Sequence, residues 1–173
     1  EMLKMVSENL KYITFRDSYG ESDGAYYYQQ RWNQHDIDEN TPTVRELLKG
    51  VFKDDELKNK LTELFHLEGV MDKYIITLSS GELRKFQLMK ALGQGPRVLI
   101  MDNPFIGLDA ETRDQLRDLL KQLSEETYLL IIMILSKVDD IPDFITHVIP
   151  VEDLRILPKI TRQEYQQQLQ KRT

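Results

Sequence analysis

Two short segments hold the residues best able to do chemistry: LSSGE at 78–82 and VLIMDNPFIGLD at 98–109. Ser79 and Glu82 stand three apart, the spacing of a capping box, so a helix is predicted to open at Ser79. The first amides of a helix lack internal partners, and its dipole is positive at that end. Small residues such as Ser80 and Gly81 let an anion approach those amides, which makes a phosphate-binding end. A plain capped helix start is the blander reading of the same residues. In the second segment four apolar residues, Val98 to Met101, end in Asp102. That sets a carboxylate at the C-terminal edge of a buried strand, where open α/β sheets bind ligands. A carboxylate there can hold a Mg²⁺ that bridges two phosphates, or it can merely close a strand. Gly107-Leu108-Asp109 reads as a turn followed by a helix cap.

The elements that would position these residues are legible as patterns. Residues 11–16 and 25–30 are aromatic and β-branched enough to be short strands. Residues 31–42 read as a loop, and Thr43 with Glu46 forms a second capping box. A helix is predicted from about Asp54 to His66, with Leu57, Leu61, Leu64 and Phe65 on one face and Gly69 as its stop. The helix opening at Ser79 runs towards Gly93 and Gly95, and Pro96 enforces its exit. Arg97–Asp102 and Tyr128–Ser136 are apolar runs without alternation, the pattern of parallel strands buried on both faces. An amphipathic helix, about Ala110 to Glu125, separates them and completes a crossover unit. Thr146–Val151 is a weaker third strand, and 161–173 a polar helix.

Composition narrows the choices. A net charge of −6 argues against a nucleic-acid binder that works through a basic surface. The longest apolar run, Leu129 to Leu135, falls far short of the ~20 residues that span a bilayer. With no Cys, thiolate chemistry and disulfides are excluded. His35, His66 and His147 lie too far apart in sequence to suggest a ligand cluster.

Taken together, the segments resemble the ATP-binding-cassette (ABC) ATPase family. LSSGE at 78–82 resembles the signature usually written LSGGQ, and Lys85 stands where its downstream basic residue falls. VLIMD at 98–102 resembles the Walker B strand, and Gly107–Asp109 the D-loop. The resemblance covers roughly Gln29 to Val151. It implies a P-loop NTPase fold, an α/β core with a parallel sheet and an inserted helical subdomain. The whole chain, 1–173, is then expected to be one incomplete cassette domain. Its parts would be a Q-loop region (1–42), a helical subdomain with the signature (43–95), the Walker B, D-loop and switch region (96–151), and a polar C-terminal helix (152–173).

The same resemblance implies ATP and Mg²⁺ as ligands. Asp102 and the Q-loop glutamine would hold the metal. That glutamine is Gln29 or Gln30, with Gln30 preferred. Ser79, Ser80, Gly81, Glu82 and Asp109 would lie against nucleotide, together with the Q-loop residue. The implied partners are a second cassette, stacked head-to-tail so that each signature faces the other's nucleotide, and a membrane permease. The implied location is the cytoplasm, at the inner face of the membrane. Within the family, FRDSYGESDGAYYYQQRWN (15–33) resembles the molybdate-associated branch, of the ModF type.

Three departures shape the expected activity. No segment fits G-x-x-x-x-G-K-[ST], the phosphate loop. The resemblance places that loop ahead of Glu1, so the chain reads as the larger, C-terminal part of a cassette and is expected to be inactive by itself. A natural protein without the loop is the alternative. Asn103 follows Asp102 where hydrolysing members carry Glu, and Asn is no base near neutral pH. Lys137 follows Ser136 where members carry the switch His, and it cannot relay a proton as imidazole does. Asn103 and Lys137 thus occupy the two catalytic positions, and the full-length protein is expected to bind ATP better than it hydrolyses it. Drift in a site that does not matter would leave the same residues. The competing functions are a hydrolysis-poor regulatory cassette and a non-transport ABC ATPase.

Overall fold

The computed structural model describes residues 6–15 and 41–172. They fall into two compact units, one ending at Ser136 and one beginning at Lys137.

In the first unit a short helix α1 (Val6–Asn9) leads into β1 (Leu10–Thr14). From residue 41 onward the chain is helical up to Leu92. Thr43 caps α2 (Val44–Leu47) with the reciprocal bonds of a capping box, its hydroxyl accepting the Glu46 amide. Asp54 caps α3 (Asp55–Phe65) by accepting the Leu57 amide at 2.8 Å. Its bounds agree with those the sequence suggests, but the stop residue differs. His66, not Gly69, adopts the left-handed conformation (φ 52°), and Leu67 N–H returns to the Thr62 carbonyl at 3.1 Å. That is a Schellman closure, which satisfies carbonyls the helix end would orphan. Leu67, the next residue, is fully buried. Two 3₁₀ turns, Glu68–Val70 and Ile75–Thr77, carry the chain to α4 (Ser80–Leu92).

The sheet follows. β2 (Val98–Asp102) lies between β1 and β3 (Leu130–Ile134), and both pairings are parallel. Thr14, Asp102 and Ile134 stand in register at its C-terminal edge. Between β2 and β3 runs α5 (Ala110–Glu126), whose Leu116, Leu119, Leu120 and Leu123 are buried. The strand–helix–strand order and the parallel sheet are those the sequence implies, with strands trimmed by one or two residues at their ends.

The expectation of burial on both faces is corrected. Leu99 and Met101 are fully covered on one face. On the other, Tyr12, Leu130, Ile132 and Ile134 are 41–58% exposed among the described residues. An apolar run records that side chains are hydrophobic, and both faces of β3 carry aliphatic residues.

In the second unit the predicted strand 146–151 is also corrected. It breaks at Pro150 into β4 (His147–Val148) and the start of a hairpin formed by β5 (Val151–Glu152) and β6 (Arg155–Ile156). β4 instead pairs antiparallel with β7 (Ile160–Thr161), which leads into α6 (Arg162–Arg172). Among the described residues no helix is long and apolar enough to cross a membrane.

Candidate functional site

Ser79 precedes α4 in an extended conformation, and its hydroxyl accepts the Glu82 amide at 3.1 Å. Glu82 Oε2 accepts the Ser79 amide in return, at 2.9 Å. Its other oxygen accepts the Lys73 ammonium at 2.8 Å. Both carboxylate oxygens are therefore engaged within this protomer. The first i to i−4 bond of the helix runs from Leu83 N–H to the Ser79 carbonyl, at 2.9 Å. That leaves the amides of Ser80 and Gly81 in the orphan first turn, pointing out of the helix end. Two such amides suit an anion.

Burial pushes the Glu82 carboxyl upward, but the bonds from Lys73 and the Ser79 amide outweigh it and hold the group below its ordinary value. A lowered folded value contributes stability above the unfolded value, and that stability is lost as pH falls through the folded one. Glu82→Gln should therefore lower the thermal midpoint at pH 7, with the gap to the unaltered protein closing below about pH 4. Thermal melts of the two proteins across that range check it; a gap that does not narrow as pH falls would contradict it.

Asp102 closes β2 at the edge where Thr14 and Ile134 also end. The Tyr12 phenol donates to its Oδ2 at 3.0 Å, while Oδ1 meets no donor among the described residues. No group of three or more His, Asp or Glu side chains gathers there among the described residues. Mg²⁺ needs only one or two protein carboxylates when phosphate oxygens and waters complete its octahedron. Asp102 offers one carboxylate of the kind such an ion takes.

Asn103 turns the chain out of the strand with φ 53°. Asn tolerates this left-handed region better than most residues. Its N–H donates to the Ile134 carbonyl at 3.0 Å, and its own carbonyl accepts the Ile106 amide at 3.2 Å. After Gly107, also at positive φ (71°), Asp109 caps α5. The Thr112 amide and hydroxyl both donate to the Asp109 carboxylate, each at 2.9 Å. Those bonds hold the Asp109 carboxyl below the usual carboxylate range.

A small cleft of about 90 Å³ opens between the starts of α4 and α5, lined by Ser79, Gly81, Glu82, Lys85, Leu108 and Thr112 among others. It joins the signature residues to the end of the 103–109 segment, and Asp102 is not part of it. Gln29 and Gln30 lie outside the described residues. Lys137 opens the second unit, exposed, just before a 3₁₀ turn at Val138–Asp140.

Two neighbours of these residues escape a reading of the sequence. Tyr12 reaches Asp102 across 90 positions, through strand register alone. Arg84 donates to the Ile106 carbonyl at 2.7 Å and places its guanidinium 4.4 Å from the Phe15 ring centre. Neither spacing follows a motif. Thr112 did carry a signal, since it stands three residues after a capping Asp.

Comparison with known proteins adds three findings. A family model described as ABC transporter matches residues 9–106. The chain is 31% identical, over 82% of its length, to the ABC transporter ATP-binding protein C323.04 of Schizosaccharomyces pombe, and covers 30% of that protein. It is 30% identical, over 76% of its length, to the ABC transporter ATP-binding protein ModF of Escherichia coli, of which it covers 26%. The chain thus spans about a third or less of these relatives. Among solved structures, CbiO1 of Clostridium perfringens, described as part of the ABC transporter complex CbiONQ, superposes with a TM-score of 0.70 at 19% identity. That match covers 94% of this chain and 61% of CbiO1, and it establishes a shared fold.

Proposed function

Because this chain belongs to the ABC transporter family, we propose that it is part of an ATP-binding subunit that binds Mg-ATP between two cassettes stacked head-to-tail. The observation that carries the reading is the separation of two half-sites. The capped signature turn, with the Ser80 and Gly81 amides facing outward, lines a cleft to which Asp102 does not contribute. A nucleotide held near Asp102 would then meet the signature of another copy. In this reading Asp102 and Gln29 or Gln30 would hold Mg²⁺, which would supply positive charge against the phosphates. Ser79, Ser80, Gly81 and Asp109 face the partner cassette's nucleotide. With both its oxygens engaged in its own protomer, Glu82 supports the turn rather than the ligand.

Asn103 and Lys137 fill the water-activating and switch positions, so hydrolysis is slow compared with binding. Names of relatives as transporter ATP-binding proteins support a membrane permease as the further partner, and a place at the inner face of the membrane goes with that proposal. ModF, at 30% identity, supports the molybdate-associated branch. A second reading, a hydrolysis-poor regulatory cassette, is favoured by Asn103 and Lys137 together. The net charge of −6 weighs against a cassette that works on nucleic acid. Calorimetric titration of Mg-ATP into the full-length protein tests the proposal, with Asp102→Asn expected to weaken Mg²⁺-dependent binding by about tenfold, roughly 1.4 kcal/mol.

A further inference from the structure

The first turn of the signature helix comes close to α5 at Gly81. A Cβ added at Gly81 would fall 2.8 Å from Thr112 Cγ2, well inside the ~3.5–4.0 Å at which carbon atoms pack. Thr112 cannot easily turn its methyl aside. Its hydroxyl donates to Asp109 Oδ2 and its amide to Asp109 Oδ1, both at 2.9 Å. Rotating the side chain would pull the hydroxyl off the carboxylate, and a β-branched residue in a helix has few other rotamers to take. The cap of α5 therefore pins a methyl group against the signature glycine. Arg84, on the same helix, ties the same junction through the Ile106 carbonyl at 2.7 Å.

We propose that Thr112 is a positioning residue: held by Asp109, it seats the signature turn against the start of α5, and Gly81 is glycine in this chain because that seat leaves no room for a Cβ. The D-loop segment and the signature turn then move as one body. A shift of Asp109 caused by an opposing cassette would be passed to the Ser80 and Gly81 amides without any bond to Gly81 itself. The consequence for turnover rests on the ATP-binding reading above; the packing link does not.

A glycine at the signature could instead serve only to let phosphate come close, and a cycle of variants in the full-length protein separates the two reasons. Ala normally stabilises a helix relative to Gly, so without the Thr112 contact Gly81→Ala should raise the thermal midpoint. With the contact it should lower it by about 5 °C, as overpacking does. Thr112→Ser removes the methyl and keeps the hydroxyl on Asp109. Gly81→Ala with Thr112→Ser should therefore melt at or above the unaltered protein. A rise with Gly81→Ala alone, or a double variant no better than that single one, would overturn the link. ATP turnover is read on the same proteins. The link predicts at least a tenfold loss with Gly81→Ala and a gain of at least threefold over that variant when Thr112→Ser is added. Recovery of the midpoint without recovery of turnover would show that Gly81 serves ligand approach, and would overturn the positioning role. Should the unaltered protein bind no ATP, the functional reading fails while the melting cycle still decides the link.

Discussion

Replacing Asn103 by Glu should raise the ATP turnover of the full-length protein by about 10²–10⁴-fold, the usual value of general-base help. The position is prepared for such a group. Asn103 leaves β2 directly after Asp102, and its amide is pinned to the Ile134 carbonyl at 3.0 Å. A carboxylate there would start from the same fixed point and could take the proton of an attacking water, which an amide cannot. The exchange has a structural cost. Residue 103 has φ 53°, and Glu tolerates this region less well than Asn, at about 1 kcal/mol. The variant is thus expected to be faster and slightly less stable. Steady-state turnover together with a thermal melt reads both. Turnover unchanged by Glu would place the slow step outside water activation.

The second large effect concerns the support beneath that segment. Phe105 is 2% exposed, and the Arg117 guanidinium lies 5.4 Å from its ring centre. It anchors the turn between Asn103 and Asp109 from below. Phe105→Ala removes that anchor and leaves a cavity, at about 3–5 kcal/mol. For a domain whose whole stability is of order 5–15 kcal/mol, that is a large share. The midpoint should fall by roughly 10 °C, and hydrogen exchange at residues 103–109 should speed up ahead of exchange in α3. Phe105→Leu, which refills most of the space, should recover most of the loss. A loss below about 1 kcal/mol for the Ala variant would show that the segment is held elsewhere.

Much of the fold was legible where its causes are local. Thr43 with Glu46 and Ser79 with Glu82 announce helix starts, because a side chain three residues on reaches back to a free amide. Val98–Asp102 and the leucine stripe of α5 are legible because burial imposes a short apolar run and a helical period. Features without a residue-type signal, or with distant partners, were not. His66 closes α3 through the Thr62 and Glu63 carbonyls, whereas Gly69 carries the commoner stop residue. Residues 146–151 read as one strand, but Pro150 divides them, and the partner of His147 is Thr161. The exposed face of the sheet has no signature, since Ile132 is as apolar as Ile131. At the candidate site the residue types and their placement at strand and helix ends were legible, while the contacts that set their geometry were not. The bonds from Tyr12 to Asp102 and from Arg84 to Ile106, and the packing of Thr112 on Gly81, all arise from register and crossing of elements far apart in sequence.

If this chain contributes a metal-binding carboxylate and a signature turn to an ATP site, ATP binding must depend on both Mg²⁺ and Asp102. Calorimetric titration of ATP into the full-length protein, with and without Mg²⁺ and with Asp102→Asn in parallel, reads that dependence. Saturable binding is expected that strengthens with Mg²⁺ and loses about tenfold of that Mg²⁺-dependent affinity in the Asn variant. No heat of binding to a folded full-length protein, or binding that ignores both Mg²⁺ and Asp102, would contradict it.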